Sequence, residues 1–153
     1  MKLLTLCYIR QNDKTLMLHR IKKQNDVHAG MWVGLGGKFE EGETPEACVI
    51  REVYEESGLE IQNPKMKWLV TLPNFHGTET WYIFVFIADT FTGELTECNE
   101  GELVWIENDK LLDLTLWEGD KIFIPWIDEE WFFSGNFVYE DRKLVKYSFV
   151  KYK

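Results

Sequence analysis

One stretch decides the fold: Gly37-Lys-Phe-Glu-Glu-Gly-Glu43-Thr-Pro-Glu-Ala-Cys-Val-Ile-Arg51-Glu52-Val53-Tyr-Glu55-Glu56-Ser-Gly58-Leu59. It places a glycine-containing loop in front of a short helical segment. Thr44 is a favourable N-cap, and Pro45 is a favourable first helical residue. Gly58 can adopt the left-handed conformation with which many helices end. The stretch therefore predicts a helix that runs from Pro45 to Ser57.

The predicted helix carries an apolar stripe and an acidic face. The stripe contains four residues at helical spacing, which are Ala47, Ile50, Val53 and Tyr54. Glu52, Glu55 and Glu56 lie at spacings that place their side chains on one face. Such a face is either solvated surface or a site for a hard cation. Mg²⁺ fits the second case, because it binds carboxylate oxygens together with substrate phosphates.

The stretch resembles the Nudix box at all nine defining positions. The pattern reads Gly, five spacer residues, Glu, seven spacer residues, Arg-Glu, an aliphatic residue, one spacer, Glu-Glu, one spacer, Gly and an aliphatic residue. The resemblance implies a pyrophosphohydrolase, in which water attacks a phosphorus of a pyrophosphate linkage. It also implies an α/β (α+β) fold, in the form of an α/β/α sandwich with a mixed β-sheet. With the length of the chain, it leads us to expect a single domain over residues 1–153.

The resemblance also assigns roles within the box. It implies that Mg²⁺, with Mn²⁺ as a substitute, is held by the carbonyl of Gly37 and by three carboxylates, those of Glu52, Glu55 and Glu56. The resemblance also implies that Glu52 and Glu56 are catalytic residues. It implies that Arg51 orients the catalytic loop by pairing with Glu43.

The general base remains open between two positions. Glu52 is the candidate within the box. Glu100 is the candidate from a later loop, in the segment Cys98-Asn-Glu-Gly-Glu102 that precedes a predicted strand. It corresponds to a late-loop glutamate in some Nudix proteins, where it also contacts metal. Glu100 is otherwise a solvated loop residue, and the nearby Glu97 and Glu102 make its assignment less specific.

Two segments outside the box resemble the MutT-like branch of the family, whose members sanitise oxidised purine nucleoside triphosphates. Gly30-Met-Trp-Val-Gly-Leu-Gly-Gly-Lys38 resembles its Gly-x-Trp-Asn-Gly-x-Gly-Gly-Lys run, and Leu116-Trp-Glu-Gly-Asp120 resembles its base-binding Met-Trp-Pro-Asp-Asp segment. Trp117 is either a purine-stacking residue or a core aromatic. Asp120 either accepts hydrogen bonds from a guanine-type edge or is a helix-start carboxylate.

Three further residues are candidates for substrate contacts. Lys38 either touches phosphate or is a solvated loop lysine. Tyr8 and Trp81 either line the base pocket or are ordinary strand residues. Two departures from the MutT-like pattern affect the same pocket. Val33 stands where that branch has Asn, and Gly119 stands where it has the first of two Asp residues.

These residues predict an Mg²⁺-dependent nucleoside triphosphate pyrophosphohydrolase that converts 8-oxo-dGTP to 8-oxo-dGMP and pyrophosphate. The substrate would then be a purine nucleoside triphosphate, and the role would be nucleotide-pool sanitisation. An alternative is a Nudix hydrolase for ADP-ribose or a dinucleoside polyphosphate, because the box grips only the shared pyrophosphate. A third reading is a catalytically silent module that senses a nucleotide. Silent modules commonly lose box carboxylates, and this chain keeps all of them.

Composition limits the remaining possibilities. The chain has 153 residues, 45% hydrophobic and 15% aromatic, with a net charge of −9. Such an acidic protein is not expected to bind nucleic acid directly, because Lys and Arg dominate phosphate contacts. No apolar run predicts a membrane span, and the N-terminus reads as a strand and not as a signal peptide. Three dispersed cysteines without Cys-x-x-Cys spacing favour a reduced, cytoplasmic setting.

The remaining sequence predicts a mixed sheet with two helices. The expected strands are 3–9, 15–22, a glycine-rich segment at 30–37, 67–72 ending at Pro73-Asn74, 80–91, 103–107, 137–139 and 144–152. Residues 23–28 are expected to form a polar loop. A second helix is expected from about Gly119 to Trp131.

Overall fold

A mixed sheet of eight strands forms the middle layer of the computed structural model, which describes residues 1–153. The ten strands of the protein are β1 Lys2–Gln11, β2 Lys14–His19, β3 Trp32–Val33, β4 Glu60–Ile61, β5 Lys65–His76, β6 Glu79–Ala88, β7 Phe91–Thr92, β8 Glu102–Glu107, β9 Phe132–Glu140 and β10 Lys143–Tyr152. The helices are α1 Pro45–Ser57 and α2 Glu118–Phe123, with 3₁₀ turns at Asn108–Asp113 and Ile124–Trp126.

The strand order explains why the sheet is mixed. The order is β10-β9-β5-β6-β1-β2-β3, and β8 also pairs with β2. The pairs β1–β6 and β5–β9 are parallel, and the remaining pairs are antiparallel. Strands β4 and β7 form a separate two-stranded ribbon. No helix of the protein has the length and apolar character that a membrane crossing requires.

Each face of the sheet packs on a different helical layer. Alternate residues of β1 point to opposite faces, so Cys7 packs with Val49 and Val53 of α1, whereas Tyr8 packs with Phe123 of α2. Both clusters are built from fully or nearly fully buried side chains. This arrangement confirms the predicted α/β/α sandwich with a mixed sheet.

Helix α1 begins and ends as predicted, but its buried face differs from the predicted one. The Thr44 side chain accepts a hydrogen bond from the Ala47 N–H at 3.1 Å, and Gly58 has φ 81°. The predicted apolar stripe is wrong except at Val53, because Ala47, Ile50 and Tyr54 are exposed. The buried helix residues are instead Cys48, Val49, Val53, Glu56 and Ser57. A face that includes a buried glutamate is poorly recognised by hydrophobic spacing.

Several predicted elements have different bounds in the structure. The strand predicted at 137–139 extends over Phe132–Glu140, and the strand predicted at 15–22 ends at His19. The second helix is wrong in length: α2 ends at Phe123, because Pro125 follows in a 3₁₀ turn and has no N–H for a helical hydrogen bond. Strand β5 continues through Pro73, which lies where the register with β6 shifts and no ladder bond is needed. In the glycine-rich segment only Trp32–Val33 is a strand.

Candidate active site

Arg51 is the centre of a hydrogen-bond network on α1. Its Nε and Nη2 donate to both carboxylate oxygens of Glu43, at 2.6 and 2.9 Å. Its Nη1 donates to Glu52 at 3.0 Å and to Glu55 at 3.1 Å, and Nη2 also reaches the Lys38 carbonyl at 2.9 Å. The hydrogen bonds from Arg51 lower the pKa of Glu43 to about 2. The predicted Arg51–Glu43 contact is therefore present, and it ties the loop to the helix.

Glu56 is the most deeply buried carboxylate of the box. Its Oε1 accepts a hydrogen bond from the Gly36 N–H at 2.7 Å, and the residue is 8% exposed. Burial raises its pKa to about 8, and the charges of Glu100 and Glu52 act in the same direction. A carboxyl group held in this way is neutral at neutral pH unless a cation or another donor compensates its charge.

Glu52 lies against the second glycine of the loop. A Cβ added to Gly37 would come within 2.4 Å of the Glu52 carboxyl carbon, so only glycine leaves room for this carboxylate. Burial raises the pKa of Glu52 in spite of its hydrogen bond from Arg51. Glu55, in contrast, has a side chain that is 55% exposed and contacts Arg51.

The geometry does not favour Gly37 as the carbonyl ligand. Its oxygen already accepts the Thr5 N–H at 2.9 Å and the Thr5 hydroxyl at 3.4 Å, which draws this carbonyl toward β1. The carbonyl of Gly36 accepts no hydrogen bond, and the N–H of the same residue contacts Glu56. The Gly36 carbonyl is therefore a second candidate beside the Gly37 carbonyl, and both stay predictions.

Glu100 reaches the same region from the loop before β8. Its Oε2 pairs with Arg20 Nη1 at 2.8 Å, and Arg20 Nε also pairs with Asp26 at 2.8 Å. Glu100 contributes to the raised pKa of both Glu52 and Glu56, so the three carboxyl groups share one electrostatic environment. The loop glutamate and the box are therefore adjacent in space.

The donor set fits a divalent cation, although the side chains are not arranged around one. No three acidic side chains converge as a metal-binding group, because Arg51 and Gly36 each engage a carboxylate. The buried carboxylates nevertheless carry unfavourable charge that a cation would compensate, and hard oxygen donors suit Mg²⁺. Their roles as metal ligands stay predictions.

A cavity of about 490 Å³ connects these carboxylates to an aromatic region. Its walls include Gly36, Gly37, Glu52 and Glu100 at one end and Trp117 and Asp120 at the other. Lys38 also lines it, together with Lys2 and Lys23. This size and this mixture of apolar walls with a few polar groups are typical of small-molecule sites.

Trp117 and Asp120 come together at the aromatic end, as the sequence predicts. Trp117 is 6% exposed, and it lines the cavity while its Nε1 donates to His28 Nδ1 at 2.8 Å. Burial raises the pKa of Asp120 to about 7. A Cβ at position 119 would lie 2.7 Å from the Tyr139 hydroxyl, which accepts the Gly119 N–H, so an Asp there would require Tyr139 to shift. Asp120 is the carboxyl group that the segment 116–120 contributes to the cavity.

The two predicted strand residues of the pocket have different outcomes. Trp81 lines the cavity, is 3% exposed and has a buried Nε1–H without an acceptor. Tyr8 is fully buried and packs against Phe123, which itself lines the cavity. The Tyr8 hydroxyl is buried without a hydrogen-bond partner, and its role as a pocket residue stays a prediction.

Several cavity residues escaped the sequence analysis. Asp26 and His28 belong to the predicted polar loop, Arg20 and Tyr139 lie in predicted strands, and Phe75 lies between two predicted strands. Only tertiary structure brings them to Trp117, which is 89 residues from its partner His28. The Asn25-Asp26 pair is a local signal of a structured turn, since the Asp26 side chain accepts the His28 N–H at 3.1 Å.

With this geometry defined, comparison with known proteins identifies the class. A family model described as the NUDIX domain matches residues 3–127. The chain is similar to the oxidized purine nucleoside triphosphate hydrolase of Danio rerio, with 31% identity over 144 residues, 94% of this chain and 90% of that protein. It is also similar to an uncharacterized Nudix hydrolase, YvcI, of Bacillus subtilis, with 33% identity over 140 residues, 88% of this chain and 85% of that protein.

Solved structures agree with these sequence matches. The crystal structure of the mutator MutT protein from Bacillus halodurans superposes with a TM-score of 0.86 and 31% identity, covering 97% of both chains. The MutT Nudix hydrolase of Burkholderia pseudomallei has a TM-score of 0.67 and 25% identity, over 81% of this chain and 95% of that one. The chain belongs to the Nudix family, and it is a Nudix hydrolase.

Proposed function

We propose that this Nudix hydrolase is an Mg²⁺-dependent nucleoside triphosphate pyrophosphohydrolase that converts 8-oxo-dGTP to 8-oxo-dGMP and pyrophosphate. The observation that carries the proposal is the cavity, which joins the carboxylate cluster to an aromatic region containing Trp117 and Asp120. A triphosphate needs the first end, and a purine base needs the second.

The polar groups at the phosphate end of the cavity would have separate roles. Glu52, Glu56 and Glu100, assisted by the Gly36 or Gly37 carbonyl and the more exposed Glu55, would hold the ion. Bound there, Mg²⁺ supplies Lewis-acid chemistry, since it neutralises phosphate charge and makes water more acidic. Lys38 borders the same end and would contact phosphate oxygens as a point charge. Arg51 acts as a positioning residue, because it holds the loop and Glu52 through Glu43.

The proton acceptor for the attacking water is either Glu52 or Glu100. Both line the cavity. Glu52 has one carboxylate oxygen hydrogen-bonded to Arg51, and Glu100 has one paired with Arg20. Each therefore retains a second oxygen that can take a proton.

The base end favours a guanine-type edge. The Arg142 guanidinium lies over the Trp117 ring, 4.7 Å from its centroid, so a purine would stack on the opposite face, a contact worth about 1–3 kcal/mol per base. Asp120, whose pKa burial raises to about 7, can accept hydrogen bonds from base N–H groups or share a proton with an oxidised base. Val33 supplies no polar contact where the MutT-like pattern has Asn, so recognition depends on fewer polar groups.

The names of relatives support this substrate class without excluding others. The Danio rerio and Mus musculus relatives are named oxidized purine nucleoside triphosphate hydrolases. A relative from Salmonella agona is named NAD-capped RNA hydrolase NudC, with 30% identity over 114 residues, 74% of this chain but 38% of that protein. A dinucleotide substrate therefore belongs in any test.

The setting of the enzyme is part of the same proposal. We place a single domain over residues 1–153 in the cytoplasm, where free nucleotides occur. All three cysteines are free and buried, which suits a reducing compartment. The net charge of −9 argues against direct binding to nucleic acid, because Lys and Arg dominate phosphate contacts.

The test is a comparison of kcat/KM with Mg²⁺ for 8-oxo-dGTP, dGTP, ADP-ribose, NAD and a dinucleoside polyphosphate, with products identified. We expect the highest value for 8-oxo-dGTP, with release of pyrophosphate. Glu56→Gln should abolish turnover of every substrate, which would separate true Nudix chemistry from a contaminant. A preference for ADP-ribose or a dinucleotide would refute the proposed substrate.

A further inference from the structure

His28 holds an unusual position at the base end of the cavity. It lines the cavity, and its ring meets the rings of Trp117 and Trp81 edge to face, with centroids 5.6 and 6.0 Å away. Nothing in the Nudix box or in the resemblance to MutT-like proteins assigns it a role.

One ring nitrogen of His28 is committed to Trp117. The Nε1–H of Trp117 lies 2.8 Å from His28 Nδ1, and an indole N–H can only donate. Nδ1 is therefore an acceptor without a proton. A neutral imidazole must then carry its proton on Nε2, which makes Nε2 a donor.

The neutral state of the ring is maintained by its surroundings. Burial lowers the pKa of His28 to about 4, and the positive charges of Arg20, Lys2 and Arg142 act in the same direction, against Asp26. Nε2 has no protein partner, and it is not among the buried polar atoms that are sealed from solvent. The protein thus presents one fixed N–H donor that no group of the chain uses.

The backbone that carries His28 is anchored from both sides. The His28 N–H donates to Asp26, and Asp26 pairs with Arg20 at 2.8 Å. Arg20 also pairs with Glu100, so the loop is linked to the phosphate end of the cavity. The Nε2 donor therefore occupies a defined position and is not free to follow a mobile loop.

The neighbouring polar groups define what Nε2 would meet. The buried Nε1–H of Trp81 has no acceptor, but it is sealed from solvent and is not available to a ligand. His28 Nε2 is therefore a free donor in the cavity that also contains Asp120. A donor suits a carbonyl oxygen, whereas Asp120 suits base N–H groups.

We propose that His28 is a specificity-determining residue, which donates from Nε2 to a carbonyl oxygen of the purine base while its Nδ1 fixes the orientation of Trp117. This inference rests on the proposed function and deepens it. A base that lacks the carbonyl would leave the donor unpaired in the closed site, and discrimination follows from that loss.

Two matched variants separate the functions of the two nitrogens. In His28→Asn the amide oxygen can replace Nδ1 as the acceptor for Trp117, but no donor reaches the position of Nε2. In His28→Gln the amide N–H₂ can reach the position of Nε2, so the donor is retained. Thermal unfolding of both variants controls for damage to the fold.

The readout is the dissociation constant of nucleoside monophosphates, measured by calorimetry on the protein without metal. The ligands are 8-oxo-dGMP, dGMP and 2-aminopurine deoxyribonucleoside monophosphate, which differ successively by the 8-carbonyl and the 6-carbonyl. Two affinity ratios follow, that of 8-oxo-dGMP to dGMP and that of dGMP to the 2-aminopurine nucleotide. We expect His28→Asn to reduce one of these ratios about tenfold, and His28→Gln to keep the same ratio within about threefold of the wild-type value.

The outcomes distinguish this inference from the proposed function. If His28→Asn changes all three affinities by one common factor, or changes none, His28 does not read a carbonyl and the inference is overturned. Nitrogen chemical shifts that show a protonated Nδ1 at neutral pH would overturn it as well. A wild-type protein that hydrolyses ADP-ribose in place of oxidised purine nucleoside triphosphates would instead remove the proposed function itself.

Discussion

Glu56 makes the stability of the metal-free protein depend on pH in a specific way. Its pKa is raised from 4.5 to about 8 by burial, so the folded protein keeps a proton that the unfolded chain has already released. The folded state therefore binds more protons than the unfolded state between these two pH values. The contribution of Glu56 to stability is fully present below about pH 4.5 and is lost as the pH rises through about 8.

The size of this effect follows from the shift. The full difference between the pKa of Glu56 in the folded and the unfolded state corresponds to a stabilisation of at most about 5 kcal/mol. About 3 kcal/mol of this stabilisation is lost between pH 5 and pH 7.5. For a domain of this size, that loss lowers the Tm by about 6–12 °C. Glutamine at position 56 can still accept the Gly36 N–H and cannot ionise, so Glu56→Gln should remove this part of the dependence.

The assay is thermal unfolding in EDTA between pH 5 and pH 8, for the wild type and for Glu56→Gln. Glu60→Gln, which changes an exposed glutamate of β4, is the matched control and should behave like the wild type. Added Mg²⁺ should raise the Tm of the wild type more at pH 7.5 than at pH 5. The reasoning is refuted if Glu56→Gln and the wild type lose the same Tm over this range.

Three further predictions concern activity. Arg51→Lys should lower kcat about 10–100-fold with little change in KM, because lysine cannot bind Glu43 with two parallel hydrogen bonds; an unchanged kcat would remove its positioning role. Gly37→Ala should lower kcat/KM by at least about tenfold, since the added Cβ displaces the Glu52 carboxylate, and wild-type kinetics would contradict this. Asp120→Asn should reduce the ratio of kcat/KM for 8-oxo-dGTP over dGTP about tenfold and leave hydrolysis of other diphosphates intact. An unchanged ratio would show that Asp120 does not contact the base.

Local chemistry explains which parts of the fold were predictable. Thr44 and Gly58 set the ends of α1 through hydrogen bonds and a left-handed residue that depend only on neighbours. The Arg51–Glu43 contact, in contrast, was implied by the resemblance of this stretch to the Nudix box. The strong apolar run of β6 likewise depends on few residues, so a mixed sheet could be anticipated from the residues, whereas the sandwich was implied by the resemblance to Nudix proteins.

Tertiary packing explains what the sequence missed. The buried face of α1 includes Glu56, whose burial depends on a loop that supplies the Gly36 N–H. His28 reaches Trp117 only after the chain has folded, so no local pattern could reveal the pair.

The most direct test of the account is the ratio of kcat/KM for 8-oxo-dGTP and ADP-ribose with Mg²⁺, with pyrophosphate or other products identified. We expect 8-oxo-dGTP to be hydrolysed to 8-oxo-dGMP and pyrophosphate with the higher kcat/KM, and Glu56→Gln to abolish this turnover. Efficient hydrolysis of ADP-ribose with negligible turnover of 8-oxo-dGTP would contradict the assignment of the aromatic end of the cavity to an oxidised purine.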